Sequence, residues 1–192
     1  MSFTSEVKQE IAMNELHACC VKAELSALVQ MLCSINFSIN GMDLRIKCEH
    51  APTAKRIFNL IKERYQAKMQ FSVMKKMKLK KNNVYILRVS SHASEILEDL
   101  EILTDAGLQA HISKESLSSD CCMRAYLAGA FLAGGSVNAP KTTNYHLEIS
   151  TSEESQAQFL LELMNRFFLG AKTIKRRNQY VVYIKASDHI GD

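Results

Sequence analysis

Apolar residues run almost unbroken through 19–34, CCVKAELSALVQMLCS, with no helix breaker, which predicts a helix buried on nearly all sides. The alternation at 44–48, LRIKC, predicts a strand with one buried face. After Pro52, which a first helical turn tolerates, Ile57, Phe58, Leu60, Ile61 and Tyr65 return at helical spacing against Lys55, Arg56, Lys62 and Glu63. Strands predicted at 69–79 and 84–89 flank Lys80-Lys81-Asn82-Asn83, a polar segment suited to a hairpin turn. A helix over 93–103, closed near Gly107, follows, and Ser-rich 113–119 reads as a linker. Beyond it the pattern predicts a strand at 145–151, a helix at 153–168 closed by Gly170, and a hairpin over 173–184 turning at Arg176-Arg177-Asn178-Gln179. A short helix at 5–13 precedes the whole.

The pattern repeats itself. Cys19-Cys20-Val21-Lys22-Ala23-Glu24-Leu25 returns about a hundred residues later as Cys121-Cys122-Met123-Arg124-Ala125-Tyr126-Leu127. Without a gap, Cys33-Ser34-Ile35 then meets Gly135-Ser136-Val137. Further on, Leu44-Arg45-Ile46 matches Leu147-Glu148-Ile149, and Val84 to Val89 resembles Tyr180 to Lys185. Matched segments in one order point to a duplication in which each half ends in a basic hairpin.

Charge sharpens this picture. The 192 residues carry a formal net charge of only +4. Yet more than half of the basic residues fall in two stretches without a single acid. One holds Lys68, Lys75, Lys76, Lys78, Lys80, Lys81 and Arg88; the other holds Arg166, Lys172, Lys175, Arg176, Arg177 and Lys185. The remaining chain is acidic, so the positive charge is segregated as on a polyanion-facing surface. With 47% hydrophobic residues, 7 Gly and 2 Pro, the composition is globular rather than disordered. No apolar run is long enough to span a membrane and no signal peptide is recognisable, so the expected location is the cytoplasm. Cysteines 19, 20, 33, 48, 121 and 122 are then expected as buried small hydrophobes. The methionines at 69, 74 and 77 are expected to fill gaps in the core.

Within the repeated helix, LAGAFLAGGSV places small residues at 129 and 133 and at 130 and 134, one turn apart, so that a second helix can approach closely. The expected partner is the matching helix at 25–33, where Ser26 and Ala27 are also small. LAGAFLAGG resembles the LAGLIDADG helix of homing endonucleases. The N-terminal SFTSEVKQEI, the paired cysteines before each such helix and AYLAGAFLAGGSVNAPKTTNYHLEI resemble, over essentially the whole chain, the WhiA family of bacterial sporulation and cell-division transcriptional regulators.

That resemblance implies an α+β fold: a duplicated LAGLIDADG homing-endonuclease-like fold whose antiparallel sheets form a saddle of DNA size. The expected organisation is an N-terminal helix over 1–18, one repeat over 19–104, a linker over 105–120 and a second repeat over 121–186. Ser187-Asp188 reads as the cap of a helix begun at 187–192, which in that family leads to a C-terminal helix-turn-helix domain. The implied function is non-catalytic DNA binding within a transcription factor for sporulation, cell division and chromosome segregation, acting at the nucleoid.

A LAGLIDADG nuclease needs a carboxylate at the foot of each repeated helix to hold divalent metal at the scissile phosphates. Alignment puts Leu32 and Gly134 there, with neutral Ser34 and Ser136 beside them, and neither position can ligate. No enzyme activity is therefore expected. No cofactor is expected either, since neither a Gly-rich phosphate loop nor a nucleophile elbow occurs and the histidines share no motif spacing. Adjacent cysteines lack CxxC spacing; convergence of Cys19, Cys20, Cys121 and Cys122 on a metal is weighed, and burial is preferred. The functional signal lies in the hairpins, because a β-ribbon fits the DNA major groove. The DNA contacts expected are Lys75, Lys76, Lys78, Lys80, Lys81, Lys175, Arg176 and Arg177, with double-stranded DNA as partner. The competing reading is an interaction or dimerisation scaffold whose lysines merely protect solvated strand edges.

Overall fold

A computed structural model of the chain describes residues 2–75, 83–138, 146–167 and 170–185. Helix α1 (Phe3–Met13) is capped by Ser2, whose hydroxyl accepts from the Ser5 N–H at 3.1 Å. Helix α2 (Ala18–Leu32) passes without a loop into strand β1 (Cys33–Ser38), which turns back into β2 (Gly41–Cys48). The helix therefore stops earlier than the apolar run predicts. From Cys33 the backbone is extended and pairs with Ile46. β1 is an edge strand, half polar and mostly exposed, so it lacks the alternation that marks β2.

Helix α3 (Ala51–Tyr65) starts with Pro in its first turn and ends at Gln66, in the left-handed region at φ 50°. β3 (Met69–Lys75) and β4 (Asn83–Val89) complete an antiparallel sheet of order β1-β2-β4-β3. Next comes α4 (Ala93–Asp99), shorter than the predicted 93–103 helix. Glu101 takes φ 60°, and β5 (Leu103–Thr104) pairs with β6 (Gly107–Leu108). Gly107, at φ 102°, serves this small hairpin rather than a helix end. The Glu101 carboxylate holds the bend by accepting from the Ser113 and Ser116 hydroxyls and pairing with Lys22.

The second half repeats the order. Helix α5 (Asp120–Gly134) runs directly into β7 (Gly135–Val137), then β8 (His146–Thr151), α6 (Glu154–Phe167), β9 (Lys172–Arg176) and β10 (Gln179–Lys185). The sheet order β7-β8-β10-β9 copies that of the first sheet, so the duplication is visible in the topology and the fold is α+β as expected.

The two halves meet along α2 and α5. A Cβ on Gly129 would run into the Glu24 carbonyl oxygen and the Ala27 Cβ, so glycine there lets the helix backbones touch. Each helix also feeds the other half's core. Cys20, Ala23 and Ala27 of α2 pack with Tyr126, Phe131, Leu160 and Val182, while Leu132 of α5 packs with Leu25, Leu28, Leu44 and Ile57. Linker residues Ile112 and Leu117 plug the second core at 1% exposure each, so that connection is packed structure. Buried Glu24 accepts from Arg56 Nε at 2.9 Å, and Arg56 Nη1 donates to the Ala12 carbonyl at 2.7 Å, tying α1, α2 and α3 together. Met69 packs against the first core as expected, whereas Met74 is 52% exposed because β3 is an edge strand. Met77 and the Ser187-Asp188 cap lie outside the described residues.

Candidate nucleic-acid interface

Strand alternation leaves one face of each sheet uncovered by helices. In the first sheet Leu44, Ile46, Leu87 and Val89 face the core, so Arg45, Lys47 and Arg88 occupy the opposite face. The register runs Ser34, Arg45, Arg88, Gln70 straight across the strands. Arg45 and Arg88 are thus direct cross-strand neighbours of like charge, an arrangement that destabilises a sheet left to itself. Asp43 relieves part of it: its Oδ2 accepts from Arg88 Nε at 3.0 Å and Nη2 at 2.8 Å. Arg88 is still 46% exposed.

In the second sheet Ile149, Val182 and Ile184 face the core, leaving Glu148, Tyr183, Lys185, Lys172 and Arg176 on the other face. Glu148 sits 2.8 Å from His146 Nε2 and accepts from Arg176 Nη1 at 3.5 Å. The His146 ring stacks on Tyr183.

The hairpin residues singled out from the sequence divide by register. Arg176 is on the uncovered face. Arg177 stands in the β9–β10 turn, at φ 43°. Lys175 has the parity of the helix-covered face and lies over the Tyr180 ring; Lys75, exposed at the end of β3, has that parity too. Lys76, Lys78, Lys80 and Lys81 lie outside the described residues. Sequence reasoning passed over Arg45 and Lys47, although the alternation that predicted β2 also sets them opposite Leu44 and Ile46.

Leu32 and Gly134 end their helices where a nuclease would carry its carboxylates. Leu32 lines an open cleft of about 1190 Å³ with Leu132, Ala133, Lys8, Lys47 and Glu49. Gly134 lines a separate recess with Gln30, Ser150, Glu153 and Gln156, and a Cβ on it would meet the Ser150 carbonyl. The helix ends thus present an aliphatic side chain and a bare backbone. Glu49 and Glu153 stand in different recesses.

At the opposite ends of the same helices the picture changes. The Sγ atoms of Cys19, Cys20, Cys121 and Cys122 all lie within 4.8 Å of one another. Among the described residues this is the one group of three or more His, Cys, Asp or Glu side chains with that geometry. Cys20, Cys48 and Cys122 are buried as expected, whereas Cys33 is half-buried and Cys19 and Cys121, one position nearer the helix starts than their buried neighbours, are exposed. The Ser119 hydroxyl, 3.0 Å from Cys121 Sγ, lowers that thiol's pKa, and burial raises that of Cys20.

Residues 18–103 match the family described as the WhiA N-terminal LAGLIDADG-like domain, and residues 123–192 the WhiA LAGLIDADG-like domain. The chain is 47% identical over 191 residues to a "Probable cell division protein WhiA" of Bacillus pumilus, covering 99% of this chain and 60% of that protein. The Bacillus subtilis protein of the same name is 45% identical with the same coverage. The chain thus spans about three-fifths of the length of these relatives. Among solved structures, the N-terminal LAGLIDADG domain of WhiA superposes with a TM-score of 0.72 at 22% identity, over 96% of this chain and 84% of that one. The structure of I-DmoI in complex with DNA and Mn gives 0.61 at 16% identity, over 91% and 94%. These two structural likenesses establish the LAGLIDADG fold.

Proposed function

The chain belongs to the WhiA family, and we propose that it is a non-catalytic, double-stranded-DNA-binding regulatory region of a bacterial transcription factor that serves cell division, sporulation and chromosome segregation at the nucleoid. The observation that carries this reading is the pairing of Arg45 with Arg88 across the uncovered face of the first sheet, with Lys47 beside them. Like charges at paired strand positions disfavour one another, Asp43 relieves this only through its bonds to Arg88, and a phosphate backbone supplies further anions at regular intervals. Lys172, Arg176 and Lys185 repeat the charge on the matching face of the second sheet. Arg177, in the β9–β10 turn, extends the contact set at the margin of the second sheet, and Lys76, Lys78, Lys80 and Lys81 stay in the proposal on their charge in the sequence alone. The fold is shared with I-DmoI, whose structure is a complex with DNA and Mn, and this supports DNA as the partner. Leu32 and Gly134 argue against cleavage, because neither supplies an oxygen ligand for Mg²⁺. Among the described residues no helix is long and apolar enough to cross a membrane.

A scaffold reading has one observation in its favour, the exposed Phe37 and Ile39 at the tip of the β1–β2 hairpin. Fluorescence anisotropy with a mixed-sequence duplex at low salt separates the two. DNA binding that weakens at least about tenfold in the Arg45→Glu/Arg88→Glu variant, but not in Phe37→Ser/Ile39→Ser, supports the first reading. Absence of binding by the parent chain leaves the scaffold.

A further inference from the structure

The geometry points to a zinc site formed by Cys19, Cys20, Cys121 and Cys122, a structural clasp that holds the two repeats together at the outer ends of α2 and α5. A zinc–thiolate bond of roughly 2.3 Å in a tetrahedron sets the sulfur atoms about 3.8 Å apart. Cys19 and Cys20 Sγ already stand 3.9 Å apart, and no pair among the four exceeds 4.8 Å. Adjacent cysteines therefore do reach a common centre here. Each pair occupies the first turn of a helix, where consecutive side chains diverge around the axis and the partner helix supplies the other two corners. The halves interlock at this point, since Cys122 Sγ lies 3.8 Å from the Cys19 carbonyl oxygen.

The chemistry of the donor set selects the metal. Four thiolates favour a soft or borderline d¹⁰ cation, and tetrahedral sulfur with no open position is the form of structural zinc. An iron–sulfur cluster needs its thiolates spread around an inorganic core, wider than this group allows. Binding displaces the thiol protons to solvent, leaving an anionic centre, and two helix N-termini aim their positive ends at it. Exposure of Cys19 and Cys121 gives the ion a way in. The site is roughly 20 Å, the length of α2, from the sheet ends of the helices, so it touches neither the basic faces nor the Leu32 cleft. It stands or falls independently of DNA binding.

The test is anaerobic titration of the fully reduced chain with Co²⁺ followed by Zn²⁺, with native mass spectrometry of the product. About one equivalent of Co²⁺ should give the intense visible bands and thiolate charge-transfer absorption of a tetrahedral tetrathiolate, and Zn²⁺ should bleach them. Cys19→Ser and Cys121→Ser, both at exposed positions, should each weaken binding more than about tenfold. Cys33→Ser, outside the group, should leave it unchanged. Zinc should raise the melting temperature of the parent and not of the Cys19→Ser/Cys121→Ser variant. The proposal is overturned if the reduced parent, folded by circular dichroism, binds no stoichiometric metal. It is equally overturned if binding survives both serine substitutions, or if the thiols close into disulfides and their reduced form ignores zinc.

Discussion

Replacing Gly129 by alanine places a methyl group where the Glu24 carbonyl oxygen and the Ala27 Cβ already stand. In a free helix the change stabilises by roughly 1 kcal/mol, because alanine is the better helix former. Here the obstacle is backbone of the partner helix, which has no rotamer to change. The helices must move apart, loosening the packing of Leu25 and Leu28 on one side and Tyr126 and Ala130 on the other, all essentially unexposed. Overpacking of this kind costs about 1–3 kcal/mol. Set against the helix gain, the net expectation is a loss of about 1 kcal/mol, or a melting temperature lowered by about 2–4 °C in a chain of this size. Gly129→Val should cost more. Urea unfolding followed by circular dichroism checks this through the midpoint at unchanged slope. A Gly129→Ala chain more stable than the parent would refute the close approach of α2 and α5.

Glu24→Gln should destabilise by about 3 kcal/mol in the same assay, because Arg56, 9% exposed, is left as a buried charge without its partner; Glu24→Met/Arg56→Met should recover most of the loss. Asp99 has its pKa lowered: burial pushes it up, but hydrogen bonds from Arg64 Nε at 2.8 Å and Tyr65 Oη at 2.6 Å outweigh that. With the folded pKa below the unfolded one, this contribution is present above the ordinary value of 3.8 and is lost as pH falls through the folded value, so Asp99→Asn should flatten the acid limb of a stability–pH profile. Supercoiled plasmid incubated with the chain and Mg²⁺ or Mn²⁺ should stay supercoiled; nicking that disappears on Glu49→Gln or Glu153→Gln would contradict the proposed non-catalytic role.

Much of the fold is legible in the sequence because duplication and periodicity reinforce one another. The small residues at 129 and 133 mark the α2–α5 contact in the sequence itself, since close backbones need them. β1 escaped because an exposed edge strand has no buried face to write into its pattern. Leu103 reads as helix because its neighbours Ile96, Leu97 and Leu100 have helical spacing, while the bend at Glu101 depends on serines more than ten residues away. The candidate interface was half visible. Net positive runs identify the hairpins, but Arg45 and Lys47 sit in a segment with no charge excess and gain meaning only when the register sets them beside Arg88. The cysteine group is invisible to spacing rules because its corners come from two helices.

The central claim is that both uncovered sheet faces meet DNA, and the salt dependence of binding tests it most directly. If about five of Arg45, Lys47, Arg88, Lys172, Arg176 and Lys185 reach phosphates, log affinity should fall against log salt with a slope magnitude of roughly four to five. Arg45→Glu/Arg88→Glu and Lys172→Glu/Arg176→Glu should each weaken binding across unrelated sequences and flatten that slope by about two. If one pair of reversals abolishes binding while the other leaves affinity and slope untouched, the two-faced interface is wrong. If neither pair changes either quantity, these cations are solvated strand faces and the DNA-binding account fails.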